Sequence, residues 1–105
     1  MIRAEFLRKN GALVGFRISG HSDVSEAGTD IVCAAVSSAA YLTANTVTDV
    51  IGISAEVVVE DGVMFFRVPE KDAAACGVLF KGFRLHMAAL RGQYPQNIKL
   101  TDTEV

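Results

Sequence analysis

His21 and Cys33 lie twelve positions apart in the stretch GHSDVSEAGTDIVCAAVS, where a polar segment bounded by Gly20 and Gly28 runs into an apolar one. A thiolate attacks electrophiles and an imidazole can generate it, so the pair has the residue types of nucleophilic catalysis. The segment is expected to leave a strand end and return to a helix start beside it, which makes His21 the natural base. Thr29 or Asp30 is the expected N-cap of a helix beginning at Ile31, placing Cys33 in the first turn, where the helix dipole favours a thiolate. A charge on Asp30 acts in the opposite sense, unless that carboxylate is tied to the helix amides. The glycines at both ends, Gly20 and Gly28, would let the loop move.

The ordinary readings stand beside these. A cysteine in an apolar helix is usually a small core residue, and a lone histidine after a strand is usually a turn or capping residue. Cys76 and His86 are ten positions apart on one expected helix, about 15 Å along its axis, too far for a hydrogen bond. Whether His86 reaches Cys33 across the fold is open at this point. A zinc site from Cys33, Cys76, His21 and His86 lacks paired ligand spacing, so no metal and no cofactor is expected. Phe80, Phe83 and Met87 form a core stripe.

The elements that must position the pair are legible. Ile2, Ala4 and Phe6 alternate with polar residues, Asn10-Gly11 turns, and Val14, Phe16 and Ile18 alternate again, which predicts a β-hairpin. A second hairpin is predicted from Ala55–Val59, the Asp61-Gly62 turn and Val63–Val68, ended by Pro69. Between them, residues 31 to about 51 are apolar on nearly every face, which predicts a helix buried all round, against the sheet and a second helix or subunit. A second helix is expected from about Lys71 to Arg91, ended by Gly92 and Pro95, and a short strand at 97–101. The order is β-β-α-β-β-α-β: one α+β domain over residues 1–105, with two helices on a mixed sheet.

Composition narrows the function. The chain has 105 residues, with ten Lys plus Arg against twelve Asp plus Glu and a formal charge of -2. No basic run follows a phosphate backbone, so direct nucleic-acid binding is not expected. Two cysteines without a close pair fit a reducing compartment, and the cytoplasm is the expected location. Ile31 to Thr48 holds no charge for eighteen residues. Its serines, threonines and asparagine make it too polar for a membrane span, and no membrane partner is expected.

Residues 20–37 resemble the signature of the ribosomal-processing cysteine proteases: a Gly-His pair, a short variable segment, then Gly-x-Asp-Ile-Val-Cys-Ala-Ala-Val-Ser. Length and element order are similar to that family across essentially the whole chain. The resemblance implies a homodimeric, cytoplasmic endopeptidase that removes an N-terminal extension from the precursor of large-subunit ribosomal protein twenty-seven. It implies Cys33 as nucleophile and His21 as general base and acid, with backbone N–H groups at Cys33 and Ala34 holding the oxyanion. Asp30 either orients His21 or caps the helix; Ser37 either bonds a backbone carbonyl or lines the site. Family substrates are apolar and aromatic before the cut and small and basic after it, which suits a loop carrying Asp23 and Glu26. The alternative from another class is a non-catalytic module that docks on ribosomal proteins or assembly factors.

Overall fold

The computed structural model describes residues 1–20 and 27–105, and for residues 27–30 the course of the chain alone. Strands β1 (Ile2–Lys9) and β2 (Ala12–Ser19) form the first hairpin. Asn10 and Gly11 turn it with φ of 52° and 81°, both left-handed, the combination a two-residue turn needs to match strand twist. Helix α1 (Ala27–Asn45) continues into a π-helical segment (Thr46–Ile51). Gly52 caps that segment at φ 84°, its amide donating to the Val47 carbonyl at 3.0 Å. The second hairpin is β3 (Glu56–Glu60) and β4 (Val63–Arg67); a 3-10 turn (Glu70–Asp72) then leads into α2 (Ala73–Gln93) and β5 (Ile98–Glu104).

The five strands are ordered β3-β4-β2-β1-β5. All neighbours run antiparallel except β1 and β5, which pair in parallel from Ile2 opposite Ile98 to Arg8 opposite Glu104. The sheet is therefore mixed and the order is the expected β-β-α-β-β-α-β. Period-two alternation puts Ile2, Ala4 and Phe6 on one face, and both helices pack there in one core with Phe16 and Phe66. Phe16 is its hub, 4.8 Å from the Phe83 ring edge-on and 5.4 Å from Phe66 in a stack. Close approach explains Gly15, because a Cβ there would lie 2.0 Å from the Phe66 carbonyl oxygen.

Three expectations are corrected. Helix α1 is buried on one stripe, Val32, Val36, Ala40, Ala44 and Val47, while Ile31 is 61% exposed, Leu42 67% and, beyond α1, Val50 78%. One small sheet covers one face of a helix, and among the described residues nothing covers the opposite one. Gly92 lies inside α2, which ends only at Gln93, with the Tyr94 amide donating to the Leu90 carbonyl at 2.8 Å. The last strand reaches Glu104 because pairing with β1 carries it beyond the apolar residues. By length and hydropathy the windows Ile31–Ile51 and Glu70–Gln93 would suffice to cross a bilayer, but each lays a buried stripe on the sheet.

Candidate active site

The site is built where α1 passes over the strand ends. Cys33 is half-buried on α1, packed against the core, and lines a cleft of about 190 Å³. Ser37 and Tyr41 follow it at intervals of four residues on the same helical face, and both line the cleft. The opposite wall is formed by Ile18 on β2, Met64 on β4 and Val59 with Glu60 on β3. The helix supplies a thiol and a hydroxyl, the sheet an apolar floor. Such a cleft can hold an extended peptide with its carbonyl against the sulfur.

Gly20 closes one end of this arrangement. Its φ of 88° is left-handed, its amide donates to the Gly62 carbonyl at 3.0 Å, and a Cβ would meet the Met1 carbonyl oxygen at 2.3 Å. The expected hinge at Gly20 is thus a pinned junction between the end of β2 and the β3–β4 turn. Gly28, the other expected hinge, lies within α1.

The helix starts earlier than the sequence suggested. With α1 beginning at Ala27, Cys33 is its seventh residue and sits in the second turn. Amides beyond the first turn donate to carbonyls four residues back, so those of Cys33 and Ala34 are committed to the helix ladder in this conformation. Thr29 and Asp30, the expected caps, lie where the chain is already helical. His21, Asp23 and Glu26 lie outside the described residues, as does the side chain of Asp30.

The other candidates are separated from the cleft. His86 is exposed and lines a different groove, between α1 and α2, with Leu42, Val78 and Phe83. Cys76 is fully buried on the core face of α2, and burial, assisted by the negative charge of Asp72, pushes its thiol pKa up. It is inert packing in this setting. Among the described residues no three His, Cys, Asp or Glu side chains converge on a point where a metal ion would sit. Ser37 lines the cleft, one of the two roles open to it. Sequence reasoning missed Tyr41 and Glu60: Tyr41 was available from its eight-residue spacing to Cys33, whereas Glu60 reaches the cleft only through the β3–β4 pairing.

A half-buried thiol lining a largely apolar cleft is an arrangement that suits a cysteine-dependent enzyme. The family model described as Cysteine protease Prp matches residues 1–99, and the chain belongs to that family. It is 26% identical over 108 residues, 96% of each chain, to the ribosomal processing cysteine protease Prp of Bacillus subtilis. A solved Streptococcus mutans protein superposes with a TM-score of 0.87 at 26% identity, covering 100% of this chain and 99% of that one. The essential ribosomal processing protease Prp of Staphylococcus aureus, solved with a substrate peptide, superposes with a TM-score of 0.86 at 20% identity. That alignment covers 98% of this chain and 100% of the other, and shows a shared fold.

Proposed function

We propose that this chain is a cytoplasmic cysteine endopeptidase that removes the N-terminal extension from the precursor of large-subunit ribosomal protein twenty-seven. The observation that carries the reading is Cys33 lining a cleft with an apolar wall, in a chain of the Prp family. The B. subtilis relative supports the ribosomal direction by its description, and the S. aureus protein supports a peptide as the occupant. In the mechanism, the Cys33 thiolate adds to a peptide carbonyl and His21 holds the proton removed from the thiol. The tetrahedral intermediate collapses, the C–N bond breaks, and His21 gives that proton to the departing amine. Water, activated by the same imidazole, then hydrolyses the thioester.

The protein acts as a homodimer in this reading. Support comes from Leu42 and Val78, 67% and 88% exposed, which line the apolar groove between α1 and α2. The same groove favours the second reading, a non-catalytic module docking on ribosomal proteins. One experiment separates the two: incubation of precursor ribosomal protein with the chain and with its Cys33→Ala variant, followed by mass. Loss of the extension with the first and not the second supports the endopeptidase; precursor retained intact in a stable complex with both supports the module.

A further inference from the structure

We propose that His86 makes the pairing of two chains depend on pH, the pair opening as its imidazole takes up a proton. The inference rests on the homodimer reading and names what regulates that same surface. His86 is exposed and lines the groove between the helices, with Ala35, Ser38 and Leu42 from α1 and Val78, Gly82 and Phe83 from α2. Helices of 19 and 21 residues are about 30 Å long and about 10 Å wide each, so their outer face covers about 600 Å². That is close to the roughly 800 Å² per partner of a stable interface. Leu85, 72% exposed, extends the apolar surface beside Val78 and Leu42. Among the described lining residues none carries a fixed charge, so the groove offers no complement to a basic or acidic partner, and a second copy is the occupant it fits.

A two-fold pairing presents the same strip from both chains, so the partner brings no kind of group that this strip lacks. On its own helix His86 has Gly82, Phe83, Ala89 and Leu90 three and four positions away, and α1 contributes Ala35, Ser38 and Ala39. The charged residues of α2 near it in sequence, Lys81, Arg84 and Arg91, are cations, and Arg84 is held by Asp102. Asp72 lies about 21 Å back along the axis of α2, and Asp49 about 16 Å beyond Ser38. The side chain of Asp30 is outside the described residues. Covering an imidazolium with such a strip removes its water and supplies no carboxylate, and two of them in one interface repel. Association therefore expels protons. It is strongest where the imidazole is neutral and weakens as pH falls through the range, about 8 to 5, in which imidazoles take up a proton. The overall charge acts in the opposite sense, because the formal -2 shrinks on the way to a pI of about 5.6, which favours self-association.

The test is sedimentation of the full chain over a range of concentrations, in steps from about pH 8 to about pH 6, beside two neutral replacements, His86→Gln and His86→Asn. Circular dichroism at each step follows the helices. The dimer dissociation constant of the parent is expected to rise by about ten-fold across that range, two imidazoles each giving up a proton on pairing, with the helical signal unchanged. Both variants should keep one constant throughout, close to the parent's at the upper pH. A parent constant that stays level overturns the assignment, as does a rise that persists in both variants or one that accompanies loss of helix. A constant that falls in acid overturns it too, and points to a carboxylate such as Asp30 meeting the imidazole. If the parent sediments as a monomer at about pH 8 and roughly tens of micromolar, the homodimer reading itself fails and this inference falls with it. The two failures are thus read at different ends of the same titration.

Discussion

Gly20 donates its amide to the carbonyl of Gly62 at 3.0 Å, joining the residue before His21 to the turn that follows Glu60. The bond ties the end of β2 to the β3–β4 hairpin across the mouth of the cleft. The strands of the sheet wall are therefore joined at that end, and the left-handed φ of 88° at Gly20 makes glycine the residue suited to the junction.

Gly20→Ala should accordingly be costly. Its Cβ meets the Met1 carbonyl oxygen at 2.3 Å and the backbone is strained for an L residue, so a loss of about 1–3 kcal/mol is expected. Denaturant unfolding checks this, and an unchanged midpoint would show that the junction relaxes freely.

Substitution of the two cysteines should separate chemistry from packing. Cys33→Ala is expected to abolish precursor cleavage with a near-parental melting temperature, because the residue is only half-buried. Cys76→Ala should keep turnover and lose about 1 kcal/mol of stability, since a fully buried sulfur is removed from the core. Cleavage followed by mass, beside thermal melts, reads both; equal loss of activity would mean that packing alone was disturbed.

Alkylation should follow the same division. Under native conditions a mild electrophile is expected to label Cys33 and spare Cys76, whose thiol is shielded and held protonated by burial. His21→Ala should slow cleavage by about 100-fold or more, the usual scale of a lost general base. Peptide mapping of the labelled thiols and single-turnover rates are the measurements.

Stability should depend on pH through Asp102. Its carboxylate accepts a hydrogen bond from Arg84 Nε at 2.9 Å and another from Arg8 Nε at 3.3 Å, tying β5 to α2 and β1. The Arg84 contact holds the Asp102 pKa below its ordinary 3.8, although partial burial opposes the shift. A depressed carboxylate pKa stabilises the fold above the unfolded value, and the contribution is lost as pH falls through the folded one. Asp102→Asn should therefore cost about 0.5–1 kcal/mol at pH 7, and the gap should close in strong acid. Urea titrations at both pH values test it.

Oligomeric state has its own test. The parent is expected to sediment as a dimer at roughly tens of micromolar, and Val78→Glu, at a side chain 88% exposed, as a folded monomer. A parent that sediments as a monomer there would remove the dimer from the proposal.

The two hairpins and two helices were legible because alternation and turn residues such as Asn10-Gly11 act locally. The edges of elements were less so. Gly92 reads as a stop signal yet sits inside α2, since packing of Met87 and Leu90 carries the helix past it. At the site, Cys33 and Ser37 announced themselves by motif, but their second-turn position depends on a helix that starts at Ala27, before any apolar periodicity begins. Glu60 was invisible because only strand pairing, remote in sequence from Cys33, brings it to the cleft.

The parallel pairing of Ile2 with Ile98 has a consequence for the order of folding. Contacts this remote in sequence demand closure of a very long loop, and they form late. Until residues 98–104 arrive, β1 presents a bare edge carrying backbone donors and acceptors that another strand can capture. A chain lacking β5 should thus be the more aggregation-prone species, because β5 covers the β1 edge and moves the edge of the sheet to its own charged residues Lys99, Asp102 and Glu104.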